Sequence, residues 1–229
     1  MAWLRLYVVA EGDTERQFAD SCLVPHLHAR AIATKVTVIT TNRKLGKRGG
    51  VLSYRQVRDD ICRRLKEDGG AEARFSTMLD FYALPQDFPG REEARRQPRA
   101  KSRIEVLEAA FANDIADPRF IPYLQLHEFE ALLYADLSQV SRRITGSSQG
   151  IATLQKEVLA LAPEEINEGS STAPSKRLIR CVPAYQRSKI RVGAPAAAAI
   201  GLPRLRAECP HFAEWIRTLE NLNPPQVPN

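Results

Sequence analysis

Two carboxylates flank a glycine where an apolar run ends. In VVAEGDTERQF, residues 8 to 18, Glu11 precedes Gly12 and Glu15 follows it. Three more acids stand in similar places: Asp80 in MLDFYALP, and Glu128 and Glu130 in LQLHEFEALL. Such residues either favour the positively polarised first turn of a helix or, when gathered, hold a hard divalent cation through oxygen ligands. A bound Mg2+ or Mn2+ polarises a phosphoryl group and supplies hydroxide, which is phosphoryl-transfer chemistry. Helix capping accounts for Asp13 and Thr14. It accounts poorly for Glu11, which lies before the cap at the tip of the run. Glu15 and Glu130 fit either role. Asp80 interrupts a stretch that reads as a buried strand, where a carboxylate without a partner is costly. The expected catalytic set is Glu11, Glu15, Asp80, Glu128 and Glu130, with Glu11, Asp80 and Glu128 as metal ligands. His127 has no spaced partner and reads as a packing or hydrogen-bonding residue. Tyr82 reads as core filling or as a platform for a base.

These acids meet only if their strands share a carboxyl edge. LRLYVVA (4 to 10), KVTVITT (35 to 41), RFSTMLDF (74 to 81) and FIPYLQL (120 to 126) read as strands. Between them lie helical patterns at about residues 14 to 31, broken or kinked at Pro25, from Ser53 to Gly69, and from about Ile104. Strand alternating with helix predicts an α/β fold: a four-stranded parallel sheet flanked by helices, whose strand ends bring distant acids together. Beyond residue 137 short helical pieces separated by Pro, Gly and Ser predict a C-terminal helical appendage packed on the sheet. The expected division is therefore 1 to 137 and 138 to 229. Trp215 and Leu219 in the appendage serve either the core or an interface.

The 229 residues carry a net charge of +6, which is compatible with a polyanionic partner. The charge is clustered in NRKLGKRGG (42 to 50), REEARRQPRAKSR (91 to 103) and PSKRLIRCVPAYQRSKIR (174 to 191). Each cluster alone reads as a solvated loop; three of them near acidic strand ends point to phosphate contact. Lys44, Lys47, Arg48, Lys176 and Arg177 are the expected phosphate-binding residues. No apolar stretch approaches the roughly 20 residues that span a bilayer. MAWLRLYVV reads as a first strand and not as a signal peptide. Four scattered cysteines without a C-x-x-C pair fit a reducing cytoplasm.

The motifs AEGDTE, SYRQVRDDI, MLDFYALPQDFPG, IPYLQLHEFEALLYAD, INEGSSTAPSKRL and CPHFAEWIRTL span nearly the whole chain. As a set they resemble a Toprim-like bacterial family known as domain of unknown function 4276. VVAEGDTE is similar to the first motif of Toprim-type domains in overcoming-lysogenization-defect nucleases, topoisomerases and primases. The resemblance implies a Toprim-like fold, Mg2+- or Mn2+-dependent cleavage of DNA or RNA, a neighbouring ATPase of the SMC or ABC type, and a role in defence against phage or plasmids. It places the Toprim glutamate at Glu11 and the first aspartate of a D-x-D pair at Asp80. The second acid position holds Tyr82, a departure that bears on two-metal cleavage. Two other readings stand beside the nuclease: a catalytically weak Toprim-like protein that binds and regulates an ATPase, and a small-molecule phosphatase or nucleotidyl enzyme.

Overall fold

The computed structural model describes residues 3–42, 47–48, 53–166 and 172–222. Lys44 lies outside the described residues, and so do the side chains of Lys47 and Arg48.

The strands are β1 (Leu4–Ala10), β2 (Ile32–Val38), β3 (Thr40–Asn42), β4 (Lys47–Arg48), β5 (Ala73–Asp80), β6 (Phe120–Ile121) and β7 (Leu124–Gln125). The main sheet runs β2-β1-β5-β6, with β7 also paired to β5, and every pairing is parallel. The α/β fold and its parallel sheet are as expected, with two differences. The second strand starts at Ile32, and Thr40 and Thr41, expected to end it, belong instead to β3, which pairs antiparallel with β4 in a separate two-stranded sheet. The last strand is two short pieces, because Pro122 has no N–H to give the ladder. The hydroxyls of β5 fill the gap: Ser76 Oγ donates to Ile121 O at 2.7 Å, and Thr77 Oγ1 donates to Tyr123 O at 2.9 Å while accepting the Tyr123 N–H at 3.0 Å.

The helices are α1 (Asp13–Phe18), α2 (Val24–His28), α3 (Tyr54–Glu67), α4 (Arg91–Arg95), α5 (Ala100–Ile115), α6 (Ser138–Ser141), α7 (Ser148–Glu157), α8 (Pro174–Cys181), α9 (Ala194–Ile200), α10 (Leu202–Glu208) and α11 (Pro210–Glu220). A π-helical stretch, Ala19–Leu23, joins α1 to α2 just before Pro25. The proline ring crowds the carbonyl four residues back, and the wider turn relieves that crowding.

Alternation along β1 divides the core. Leu4, Leu6 and Val8 join Phe18 and Leu23 and, from the C-terminal helices, Leu178, Phe212, Trp215 and Leu219. Val9 on the opposite face joins Val57 and Ile61 of α3 and Leu107 and Phe111 of α5. The helices after residue 137 therefore share one apolar cluster with the first strand. Trp215 is a core residue, 4% exposed, stacked on Tyr123 at 4.1 Å between ring centroids, with its Nε1–H donating to Ser76 Oγ at 2.9 Å. Trp215→Ala is expected to lower unfolding free energy by about 3–5 kcal/mol in urea titration. Trp215→Phe, which keeps the stack and removes the indole donor, should cost about 1–2 kcal/mol. All four cysteines are free, and no described helix is long and apolar enough to cross a membrane.

Candidate functional site

The site is built at the ends of β1 and β5. The Glu11 N–H donates to Met78 O at 3.0 Å, extending the strand pairing by one residue. Its carboxylate then reaches across the strand end, where Oε2 accepts the Asp80 N–H at 2.9 Å. Gly12, in extended conformation, is the N-cap of α1, in place of the expected Asp13 or Thr14. The reason is Glu15, whose Oε2 returns to accept the Gly12 N–H at 2.9 Å. A Cβ at position 12 would stand 3.1 Å from that oxygen, so the close return favours glycine. Glu15 is thus a capping residue and also a buried acid, 7% exposed.

Beyond β7 the chain turns sharply at His127, whose φ of 63° is left-handed and uncommon for a residue with a Cβ. The turn directs Glu128 and Glu130 towards the same edge. His127 Nε2 lies 2.9 Å from Glu164 O. A carbonyl only accepts, so Nε2 carries the proton there, and Nδ1 accepts from the Tyr82 hydroxyl at 2.8 Å. Tyr82 is 40% exposed and is not core filling. Glu128 Oε2 accepts the Ser175 N–H at 3.1 Å in the first turn of α8, where the helix dipole favours an anion. Glu130 is buried, meets Lys189 Nζ at 2.9 Å and accepts from the Tyr185 hydroxyl at 3.4 Å.

The electrostatics show that the five acids share one neighbourhood. Burial pushes Glu11 up to about 7; the Asp80 N–H opposes this, while Glu15, Glu128 and Glu130 add to it. Burial also raises Asp80 well above the carboxylate range, with Glu11, Glu15, Glu130 and Glu128 all reinforcing the shift. Glu15 is raised by burial and by Glu130, against the pull of the Gly12 N–H and Lys189. Burial works against the charge on Lys189, but Glu130, Glu128 and Asp80 prevail and keep it protonated.

The acids are close enough to repel, yet each of four has its own donor: Glu11 the Asp80 N–H, Glu15 the Gly12 N–H, Glu128 the Ser175 N–H and Glu130 the Lys189 ammonium. Asp80 differs, because its Oδ1 is buried with no hydrogen-bond partner. Among the described residues, no three His, Cys, Asp or Glu side chains are gathered as a ready metal-ligand cluster. Of the expected phosphate contacts, Lys176 is exposed on α8, one residue beyond the Ser175 that holds Glu128, and Arg177 donates from Nε to Thr172 O at 2.9 Å.

Lys189 and Tyr185 join the site without standing out in the sequence. Their signal is the basic run AYQRSKIR, in which nothing distinguishes an inward lysine from its solvated neighbours. Lys189→Met leaves Glu130, whose side chain is 8% exposed, without its cation. Because the Lys189 side chain is itself 41% exposed, the expected loss is about 1–3 kcal/mol, less than for a fully buried pair. Adding Glu130→Gln should recover much of that deficit in thermal stability.

Among solved structures, the C-terminal region of the Burkholderia pseudomallei OLD protein is similar at 18% identity with a TM-score of 0.44, over 95% of this chain and 99% of that chain. The C-terminal region of the Xanthomonas campestris pv. campestris OLD protein is similar at 15% identity with a TM-score of 0.40, over 93% and 94%. No curated protein matches the chain. A family model described as a domain of unknown function (DUF4276) matches residues 10–220, a span that takes in all five acids and the C-terminal helices that share the β1 core, and the chain belongs to that family.

Proposed function

We propose that the protein is a divalent-metal-dependent phosphodiester hydrolase acting on DNA or RNA. The observation that carries the reading is Asp80 Oδ1, a buried carboxylate oxygen without a donor, amid four other acids that raise its pKa. Leaving such an oxygen unsatisfied is costly, and a hard cation both relieves the repulsion and satisfies the oxygen. The oxygen-donor set fits Mg2+ or Mn2+, with Glu11, Asp80 and Glu128 as the proposed ligands and water filling the remaining positions, as is usual for Mg2+. When bound, the ion would polarise a phosphoryl oxygen and lower the pKa of a coordinated water. The chain's own contributions are separate. Glu11 is oriented by the Asp80 N–H, Glu15 secures the turn that leads out of β1, and Lys189 pairs with Glu130 beside the others. Lys44, Lys47, Arg48, Lys176 and Arg177 are proposed to meet the phosphate backbone. The motif resemblance extends the proposal to an SMC- or ABC-type ATPase partner, a cytoplasmic location and defence against phage or plasmids.

A second reading is a catalytically weak protein that binds and regulates an ATPase. It is favoured by Tyr82, whose phenol is engaged with His127 where the pair's second acid would stand. Incubation of the purified protein with supercoiled plasmid, linear DNA and RNA, each with Mg2+ or Mn2+, separates the two. Cleavage that requires the metal supports the hydrolase. Metal binding without cleavage of any substrate supports the regulator.

A further inference from the structure

A cleft of about 270 Å³ is lined by Phe81, the residue after Asp80, and by Arg91, Ala94, Arg95, Arg103 and Leu107. A water occupies about 30 Å³, so the cleft has room for a phosphodiester group with several waters. Its lining holds three guanidinium groups and no carboxylate. Arg91 is half-buried and donates to backbone carbonyls, from Nε to Pro85 O at 2.9 Å and from Nη2 to Leu84 O. Arg103 does the same, to Gln97 O at 2.8 Å and Pro98 O at 3.3 Å. These acceptors are neutral, and among the described residues neither arginine has an ion-pair partner. Arg95 is paired at the surface with Glu92 at 2.7 Å. Burial and the neighbouring Arg95 charge push the Arg91 pKa down, as expected of cations crowded without an anion. The carbonyls fix the guanidinium planes in advance, which lowers the entropic cost of binding an anion.

We propose that this cleft binds a backbone phosphate of a single-stranded nucleic acid. Phe81 lines the cleft and follows Asp80 directly in the chain, so one backbone step links the cleft wall to the acid that carries the site. The exposed Tyr82 ring stands 5.4 Å from the Phe81 ring, centroid to centroid, and is itself 5.4 Å from His127. The two rings thus link the arginine-lined cleft, through Phe81, to the Tyr82–His127 pair. A strand with one phosphate in the cleft would lay an unpaired base against the aromatic step and carry a following phosphate to Asp80. Stacking on aromatic side chains beside a cationic groove is the usual basis of single-strand binding, and a base-paired duplex cannot offer its ring faces in that way. The ligand class rests on the phosphodiester reading above, but binding and cleavage are separable.

The test is fluorescence anisotropy with a labelled oligothymidylate in EDTA, so that no cleavage occurs, over a range of salt concentrations. Arg91→Gln with Arg103→Gln should weaken binding about tenfold or more, and the slope of log affinity against log salt should shrink by about 0.7 for each phosphate that is no longer neutralised. Arg91 also ties down the Leu84–Pro85 segment, so Arg95→Glu, at an exposed position, serves as a second variant whose folding is not at risk; it should weaken binding in the same direction. The proposal is overturned if the parent does not bind the oligonucleotide, if both folded variants bind like the parent, or if inorganic phosphate or a duplex of equal length competes as well as the single strand. If the parent binds, the variants bind more weakly, and no substrate is cut with metal present, the cleft stands and the hydrolase reading falls.

Discussion

Replacing Asp80 with Asn is expected to reduce metal-dependent cleavage by about 10³-fold or more while leaving the fold intact, a loss of about 4 kcal/mol in transition-state stabilisation. The side chain keeps its size and hydrogen-bonding shape and gives up the charge that an ion requires. Its backbone N–H still meets Glu11, so the strand end should hold. Glu11→Gln should act in the same direction, because it removes the charge of an expected ligand while its amide oxygen can still accept the Asp80 N–H. Single-turnover cleavage with Mg2+ or Mn2+ measures the effect, and circular dichroism confirms the fold. A variant that cuts as fast as the parent places the chemistry elsewhere.

The second large effect is on stability and has the opposite sign. In the unfolded chain Glu11 ionises near 4.5, while in the folded protein it ionises at about 7. Between those values the native state holds a proton that the unfolded state has released, so stability falls as pH rises through that window and stays low above it. The raised pKa values of Glu15, Asp80 and Glu164 act in the same direction. So does the buried His211: burial disfavours its charge, but Glu108 prevails and raises its pKa, and the stability of that pair is lost as pH climbs through the raised value. Without divalent ions, the thermal midpoint at pH 8 should lie below that at pH 6. Glu11→Gln should raise the pH 8 midpoint, through a gain in stability on the order of 1–3 kcal/mol, and flatten the profile by Glu11's share. Saturating Mg2+ at pH 8 should also raise the midpoint of the parent, and do so less in Asp80→Asn, since a ligand that binds only the native state adds about 2.7 kcal/mol at a hundred times its Kd. A parent whose midpoint is flat between pH 6 and pH 8 would contradict this picture of crowded acids.

How far the site could be read in the sequence depended on the range of the interaction. The β1 bounds follow from the apolar run and the glycine after it, and the strand tips drew attention to Glu11, Asp80, Glu128 and Glu130, because periodicity records which residues face the core. The break in the last strand was missed although Pro122, whose missing N–H removes a ladder bond, stands within FIPYLQL. What remained hidden were the polar partners. Tyr82 and His127 are 45 positions apart, and their pairing depends on a left-handed turn at a histidine, which residue type does not announce. Lys189 reaches Glu130 only because the helices after residue 137 fold back against the first strand's core. Trp215 shows the same limit from the apolar side: helical spacing made it a core or interface residue, and only the stack on Tyr123 decides for the core.

The central claim is that a divalent ion belongs beside Asp80. The most direct measurement is anomalous diffraction at the manganese edge from crystals of the parent grown with Mn2+. The account predicts a peak about 2.0–2.6 Å from Asp80 Oδ1, with Glu11 on the same ion directly or through water. No peak there at saturating Mn2+, or a peak held by residues outside the five acids, would contradict it.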